Sequence, residues 1–122
     1  MTQKQLEALL AEWQAVLRLQ DWAVKARFAE PELLGGGVAH CCTTSPRKLA
    51  TIRIASPETL SRDGDAERDP EADLVHELIH LHMDAFAPAD WTSPTGVAME
   101  QAIDLIAEAL VKLKRATKKK RR

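Results

Sequence analysis

The stretch Asp69-Pro70-Glu71-Ala72-Asp73-Leu74-Val75-His76-Glu77-Leu78-Ile79-His80-Leu81-His82-Met83-Asp84-Ala85-Phe86 decides the fold. Asp69 suits a helix N-cap, and Pro70 suits the first helical position, where an N–H would have no partner anyway. The pattern predicts a helix from there to about Phe86. Leu74, Val75, Leu78, Ile79 and Leu81 leave little of it for solvent, so the polar residues among them need a reason to be there. His76 and His80 stand at i and i+4, one turn apart on one face, with Cβ atoms about 5–6 Å apart. Two imidazoles so placed can converge on one Zn²⁺. Glu77 projects about 100° round the helix from His76, beside such an ion without ligating it, where it can take a proton from metal-activated water.

Working outward, Ala87 to Gly96 holds two prolines and a glycine and reads as a loop. Ser93-Pro94 or Thr95 then starts a further helix, which runs to about Arg115 on Met99, Ile103, Ile106, Leu110 and Leu113. Upstream, Ser56 to Asp69 is polar and acidic and reads as a solvated loop. Leu49 to Ala55, Val38 to Thr44 and Trp22 to Phe28 show strand periodicity, separated by Ser45-Pro46-Arg47-Lys48 and by the glycine-rich segment from Glu30 to Gly37. Thr2 and Gln5 form a capping box ahead of Leu6, Leu9, Leu10, Trp13, Val16 and Leu17, which predicts a helix from about residue 3 to about residue 19. The expected order is α-β-β-β-α-α, an α+β fold with an N-terminal helix and a short, mainly antiparallel three-stranded sheet.

Composition is consistent with one globular domain. The 122 residues are 45% hydrophobic and 29% charged, an ordinary balance that argues against wholesale disorder. Two adjacent cysteines, Cys41 and Cys42, cannot build a disulfide framework; one is expected to face inward and the other outward on a strand. There is no apolar leader and no run long enough to span a membrane, so a cytoplasmic protein is expected. Residues 112–122 hold eight bases and no acid, against nine bases and 18 acids in the rest of the chain. Residues 1–115 are therefore expected as a single domain and 116–122 as a basic, flexible tail. That tail is a solubilising helix end, or a weak contact for nucleic acid or an acidic partner.

A catalytic zinc takes three protein ligands. His82 is turned about 200° from His80, and a straight helix puts Asp84 about 12 Å from His76, so neither joins the pair. Glu100 is the strong remaining candidate. It shares a helix face with Val97, Ile103, Ala107 and Val111, and an unpaired carboxylate among apolar side chains is costly. Asp104, one turn on, is placed to accept the second ring N–H of a metal-bound histidine.

The combination His76-Glu77-x-x-His80, nineteen residues, Glu100-x-x-x-Asp104 resembles the gluzincin zinc metallopeptidases, with the spacing of thermolysin-like enzymes. The small size is similar to minimal phage and bacterial members and to ImmA/IrrE-type peptidases. Metzincins are excluded by Met83 and Phe86, and SprT-like proteases fit less well, since no histidine follows His82. The resemblance covers residues 49–113. It implies a zincin-like core with one Zn²⁺ held by His76, His80 and Glu100, Glu77 as general base, Asp104 as the orienter, and a protein or peptide substrate. Two departures from it are expected to matter: these 122 residues are not expected to supply a second lobe to wall the cleft, and they hold no tyrosine for the oxyanion. His40 and Arg53 are the candidates for that task, and spacing selects neither. Trp91, in the loop between the last two helices, is placed to pack over the site as a lid or to anchor its loop, and the anchor is the favoured expectation. The alternative expectation is an inactive zinc-binding or protein-interaction module of the same fold.

Overall fold

The computed structural model describes residues 1–122 other than Gly35, Gly36, Ser45, Asp63, Asp65, Ala66 and Arg122, and omits the side chains of Pro31 and Arg121. The parts of the expected glycine loop, turn, acidic loop and tail that fall on those positions lie outside the described residues.

Helix α1 (Gln3–Val16) opens on the expected capping box: the Gln5 backbone N–H donates to Thr2 Oγ1 at 3.1 Å, and the Thr2 N–H donates to Gln5 Oε1 at 2.8 Å. It ends short of residue 19 because Arg18 takes φ 59°, which no helix continues. Three strands follow, β1 (Ala23–Ala29), β2 (Ala39–Thr44) and β3 (Leu49–Ala55). The fold is α+β, but the sheet is mixed rather than mainly antiparallel. Its order is β1-β3-β2, with β3 parallel to β1 and antiparallel to β2. Ile52 and Ile54 of β3 are fully buried, and the central position lets neighbours flank them on both sides. The connection from β1 to β2 carries the chain past β3, a span of about 10 Å at two strand spacings.

The segment from Ser56 to Asp69 is not all loop. Pro57–Arg62 forms α2, started by Ser56 Oγ, which accepts from the Thr59 N–H at 3.1 Å. Leu60 of α2 covers Ala29, Leu34 and Ala55 in a small second core. Helix α3 (Pro70–Met83) is capped by Asp69 as expected, Oδ1 accepting from the Glu71 N–H at 3.0 Å, and passes into a 3-10 turn over Asp84–Phe86.

Helix α4 (Pro94–Arg121) is longer than expected: the basic segment after Arg115 is helical through Arg121 instead of leaving the helix as a tail. Cations at a helix C-terminus favour this, since they face the negative end of the dipole. Helices α1 and α3 pack on one face of the sheet and α4 packs on α3. Leu6, Trp13, Ile52, Leu74, Leu78, Ile103 and Val111 meet in the main core. Ile106 and Leu113, expected in that core, are exposed instead. Cys41 packs against the core and Cys42 is exposed, both as free thiols. Among the described residues no helix is long and apolar enough to cross a membrane.

Two bases of the supposed solubilising end serve the interior. Lys114 Nζ lies 2.5 Å from Glu71 Oε2, 3.1 Å from Glu12 Oε2 and 5.1 Å from the Trp13 ring centre. Arg115 reaches Glu71 Oε1 at 3.1 Å and Asp69 Oδ2 at 2.7 Å, and the Trp13 indole donates to Glu71 Oε2 at 2.8 Å. This cluster ties α1, the start of α3 and the later turns of α4 together, and so sets the angle at which α3 and α4 diverge.

Candidate metal centre

The other half of the α3–α4 interface carries the predicted site. His76 and His80 project from one face of α3, with ring centres 5.1 Å apart. Glu100, on the second turn of α4, lies between them. Its Oε2 is 3.2 Å from His76 Nε2 and its Oε1 is 2.5 Å from His80 Nε2. One ligand atom from each of these three residues lies within 4.8 Å of the others, a group that can hold a metal ion. The donors fit zinc in kind. Two imidazole nitrogens and one carboxylate oxygen are a borderline-soft set, and atoms bound to one Zn²⁺ at about 2.0–2.1 Å lie about 3.4 Å apart in a tetrahedron. Burial pushes the His80 imidazole below its ordinary pKa against the pull of Glu100, which favours the neutral form a metal needs.

Asp104 sits one turn beyond Glu100, with Oδ1 3.4 Å from His76 Nδ1, the ring nitrogen turned away from Glu100. Glu100 is not enclosed by apolar side chains: 42% of its side chain is exposed, as the boundary between α4 and a cleft demands. The buried face of α4 is set by Ile103, Ala107 and Val111, and Val97 is exposed. Glu77 is only 7% exposed. Burial first, and then repulsion from Glu100 and Asp73, push its carboxyl up to about 8. A dication at the triad would act in the opposite sense, favouring the carboxylate.

Two cavities of about 380 and 370 Å³ flank Glu77 and Glu100, which line both. The first is bounded by Asp73, His76, Gln101 and Asp104. The second is bounded by His40, His80 and Trp91. Ala39 of β2 lines both, so this edge strand forms one wall of a continuous cleft.

The two oxyanion candidates, His40 and Arg53, are cross-strand partners on the exposed side of the sheet: His40 lines the second cavity but sets its Nδ1 3.4 Å from Cys42 Sγ, and Arg53 donates to Cys42 Sγ at 3.9 Å. His82 points away from the site, as its helical phase requires, and donates from Nε2 to the Leu17 carbonyl at 2.7 Å. Asp84 accepts from Thr43 Oγ1 at 3.2 Å and joins the end of α3 to β2.

Gly96 and Asp73 are two contributors that escape sequence reasoning. Trp91 packs edge-on against His80, ring centres 4.8 Å apart. Gly96 makes that possible, because a Cβ there would meet the Trp91 backbone at 2.5 Å. A glycine in the first turn of a helix is the one available signal. Asp73 is the other. It is buried beside Glu77, bound by Arg68 through Oδ1, and its Oδ2 has no hydrogen-bond partner.

No protein-family profile matches the chain, and neither a curated protein nor a solved structure matches it.

Proposed function

We propose that this chain is a zinc-dependent peptidase of the gluzincin type, with His76, His80 and Glu100 as the zinc ligands. The observation that carries the reading is the convergence of His76 Nε2 and His80 Nε2 on the two oxygens of Glu100, from two helices that the Glu71–Lys114–Arg115 cluster holds in place. When bound, zinc would polarise a substrate carbonyl as a Lewis acid and activate water near neutral pH.

The chain's own residues do the rest. Glu77, shielded from solvent between the two cavities, accepts the proton of the attacking water and returns it to the departing amine. Asp104 orients His76 through its second ring nitrogen. An extended peptide fits the cleft by pairing with the free edge of β2, its backbone crossing from one cavity to the other past Glu77.

A zinc-binding module without turnover is the second reading. It is favoured by the lack of any tyrosine in the sequence.

Metal analysis of the wild type, His80→Ala and Glu77→Gln, paired with hydrolysis of an unfolded protein substrate, separates the two. The peptidase reading expects about one zinc per chain in the wild type and in Glu77→Gln, none in His80→Ala, and cleavage by the wild type alone. Undiminished cleavage by Glu77→Gln refutes the peptidase mechanism. Stoichiometric zinc with no cleavage by any form selects the module.

A further inference from the structure

The outward face of α4 is apolar along most of its length. Ala98, Ala102, Leu105, Ile106, Ala109, Leu113 and Ala116 are all exposed. At 3.6 residues per turn they fall within about 100° of arc, opposite Ile103, Ala107 and Val111. Leu105, Ile106 and Leu113 are 66%, 47% and 64% exposed. A helix that packs one face on its own domain normally turns charge to the water. Here the stripe runs about 28 Å with no charged residue in it from Ala98 to Ala116. Beyond it α4 stays helical through Arg121, with Ala116 to Lys120 all exposed.

The charges beside the stripe identify the occupant. On one flank Asp104 and Glu108 come first along the helix, and Lys112 and Lys119 follow. In an antiparallel pair each flank faces the same flank of the partner, so its acidic half lies against the other's basic half; in a parallel pair it faces the opposite flank, where Met99, Leu110 and Thr117 offer it no charge to match. The stripe is also close to palindromic about Ala109. In that register Leu105 meets Leu113 of the partner subunit, Ala102 meets Ala116 of the partner subunit, and Glu108 lies beside Lys112 of the partner subunit. Ala109 at the crossing permits a close helix approach. Glu108 and Lys112 have no ion-pair partner within the chain among the described residues.

We infer that α4 is a self-association surface and that two copies of this chain pair through it, antiparallel and centred on Ala109. The basic last turns of the partner subunit's α4 then lie toward Gln101 and Asp104, which line the first cavity. The pairing does not depend on the metal or on the peptidase reading.

Sedimentation of the full chain tests it. The wild type should be a dimer at about 50 μM, and Leu105→Glu with Leu113→Glu should be a monomer with unchanged helical circular dichroism, an affinity loss of at least about tenfold. Glu108→Lys should weaken the dimer several-fold, and adding Lys112→Glu should restore it. A wild type that stays monomeric at several hundred μM overturns the inference and leaves the stripe to a different protein. A dimer that survives Leu105→Glu with Leu113→Glu overturns it too. Failure of the charge swap to restore affinity overturns the antiparallel register.

Discussion

Glu71 and Glu77 lie six residues apart on α3, and they are 6% and 7% exposed. Their surroundings are opposite. Burial alone would raise the Glu71 pKa, but Lys114, the Trp13 indole and Arg115 outweigh it and hold the carboxyl below its ordinary range. Glu77, just as hidden from solvent but set deeper among its neighbours, is raised first by burial and then by Glu100 and Asp73, and it goes up to about 8. Similar exposure thus yields one compensated carboxylate and one frustrated carboxyl. The compensated one braces the helices. The frustrated one sits in the cleft beside the two imidazoles, where an incoming cation would relieve it. Strain of this kind is tolerable because the far end of the same interface is so well satisfied.

The largest expected effect comes from breaking the compensated side. Glu71→Ala leaves the Trp13 N–H unpaired and Lys114 with Glu12 alone, and should destabilise the fold by about 3 kcal/mol in urea unfolding. The acid limb should respond with it. Asp69 and Glu71 both have lowered pKa values in the folded state, so their stabilisation is present above the ordinary carboxylate range and is lost as pH falls through the folded values. Wild-type stability should therefore drop on acidification, and the Glu71→Ala curve should be flatter. A Glu71→Ala protein with wild-type stability and an unchanged acid limb would show that the cluster is ornamental.

How much of this is legible in the sequence follows from what a helix does to spacing. His76 and His80 converge because i and i+4 share a face, and a single helix settles that locally. Glu100 requires a second helix at the right angle, and elimination among the acids finds it although its exposed setting differs from the expected one. Strand direction is not legible. Alternation of period two reads the same for parallel and antiparallel neighbours, so nothing in Leu49–Ala55 announces its parallel pairing with β1. Lys114 and Arg115 are hidden in a basic run, where only tertiary structure tells two braces from the exposed Lys112, Lys118, Lys119 and Lys120. Ile106 and Leu113 mislead for a related reason. A helix apolar on two faces gives a hydrophobic periodicity that does not say which face is inside.

An intermediate effect is expected at the loop that joins the cleft to α4. Gly96→Ala places a methyl within 2.5 Å of the Trp91 backbone, so the loop must shift, at a cost of about 1–3 kcal/mol. The shift also carries the Trp91 ring away from His80. Tryptophan emission of Gly96→Ala, with Trp91→Phe as the reference, should change while the buried Trp13 and Trp22 contributions stay constant. Unchanged emission and stability would mean that Gly96 does not hold the ring on the site.

The smallest effect belongs to the frustrated side, and it decides the comparison. Glu77→Gln replaces a buried acid, whose raised pKa makes the folded state hold a proton that the unfolded chain releases, with a neutral isostere, and it breaks no described hydrogen bond or ion pair. Without metal at neutral pH, its unfolding free energy should lie within about 1 kcal/mol of the wild type or above it, the sign expected when that protonation cost is removed. Glu71→Gln is the matching control, because it keeps shape but strips the charge that Lys114 and Arg115 need, and it should destabilise. If both amides cost the same, the two carboxylates are equally structural and the division of the α3–α4 interface into brace and site fails. If only Glu71→Gln costs stability, Glu77 is held at that position by something other than folding.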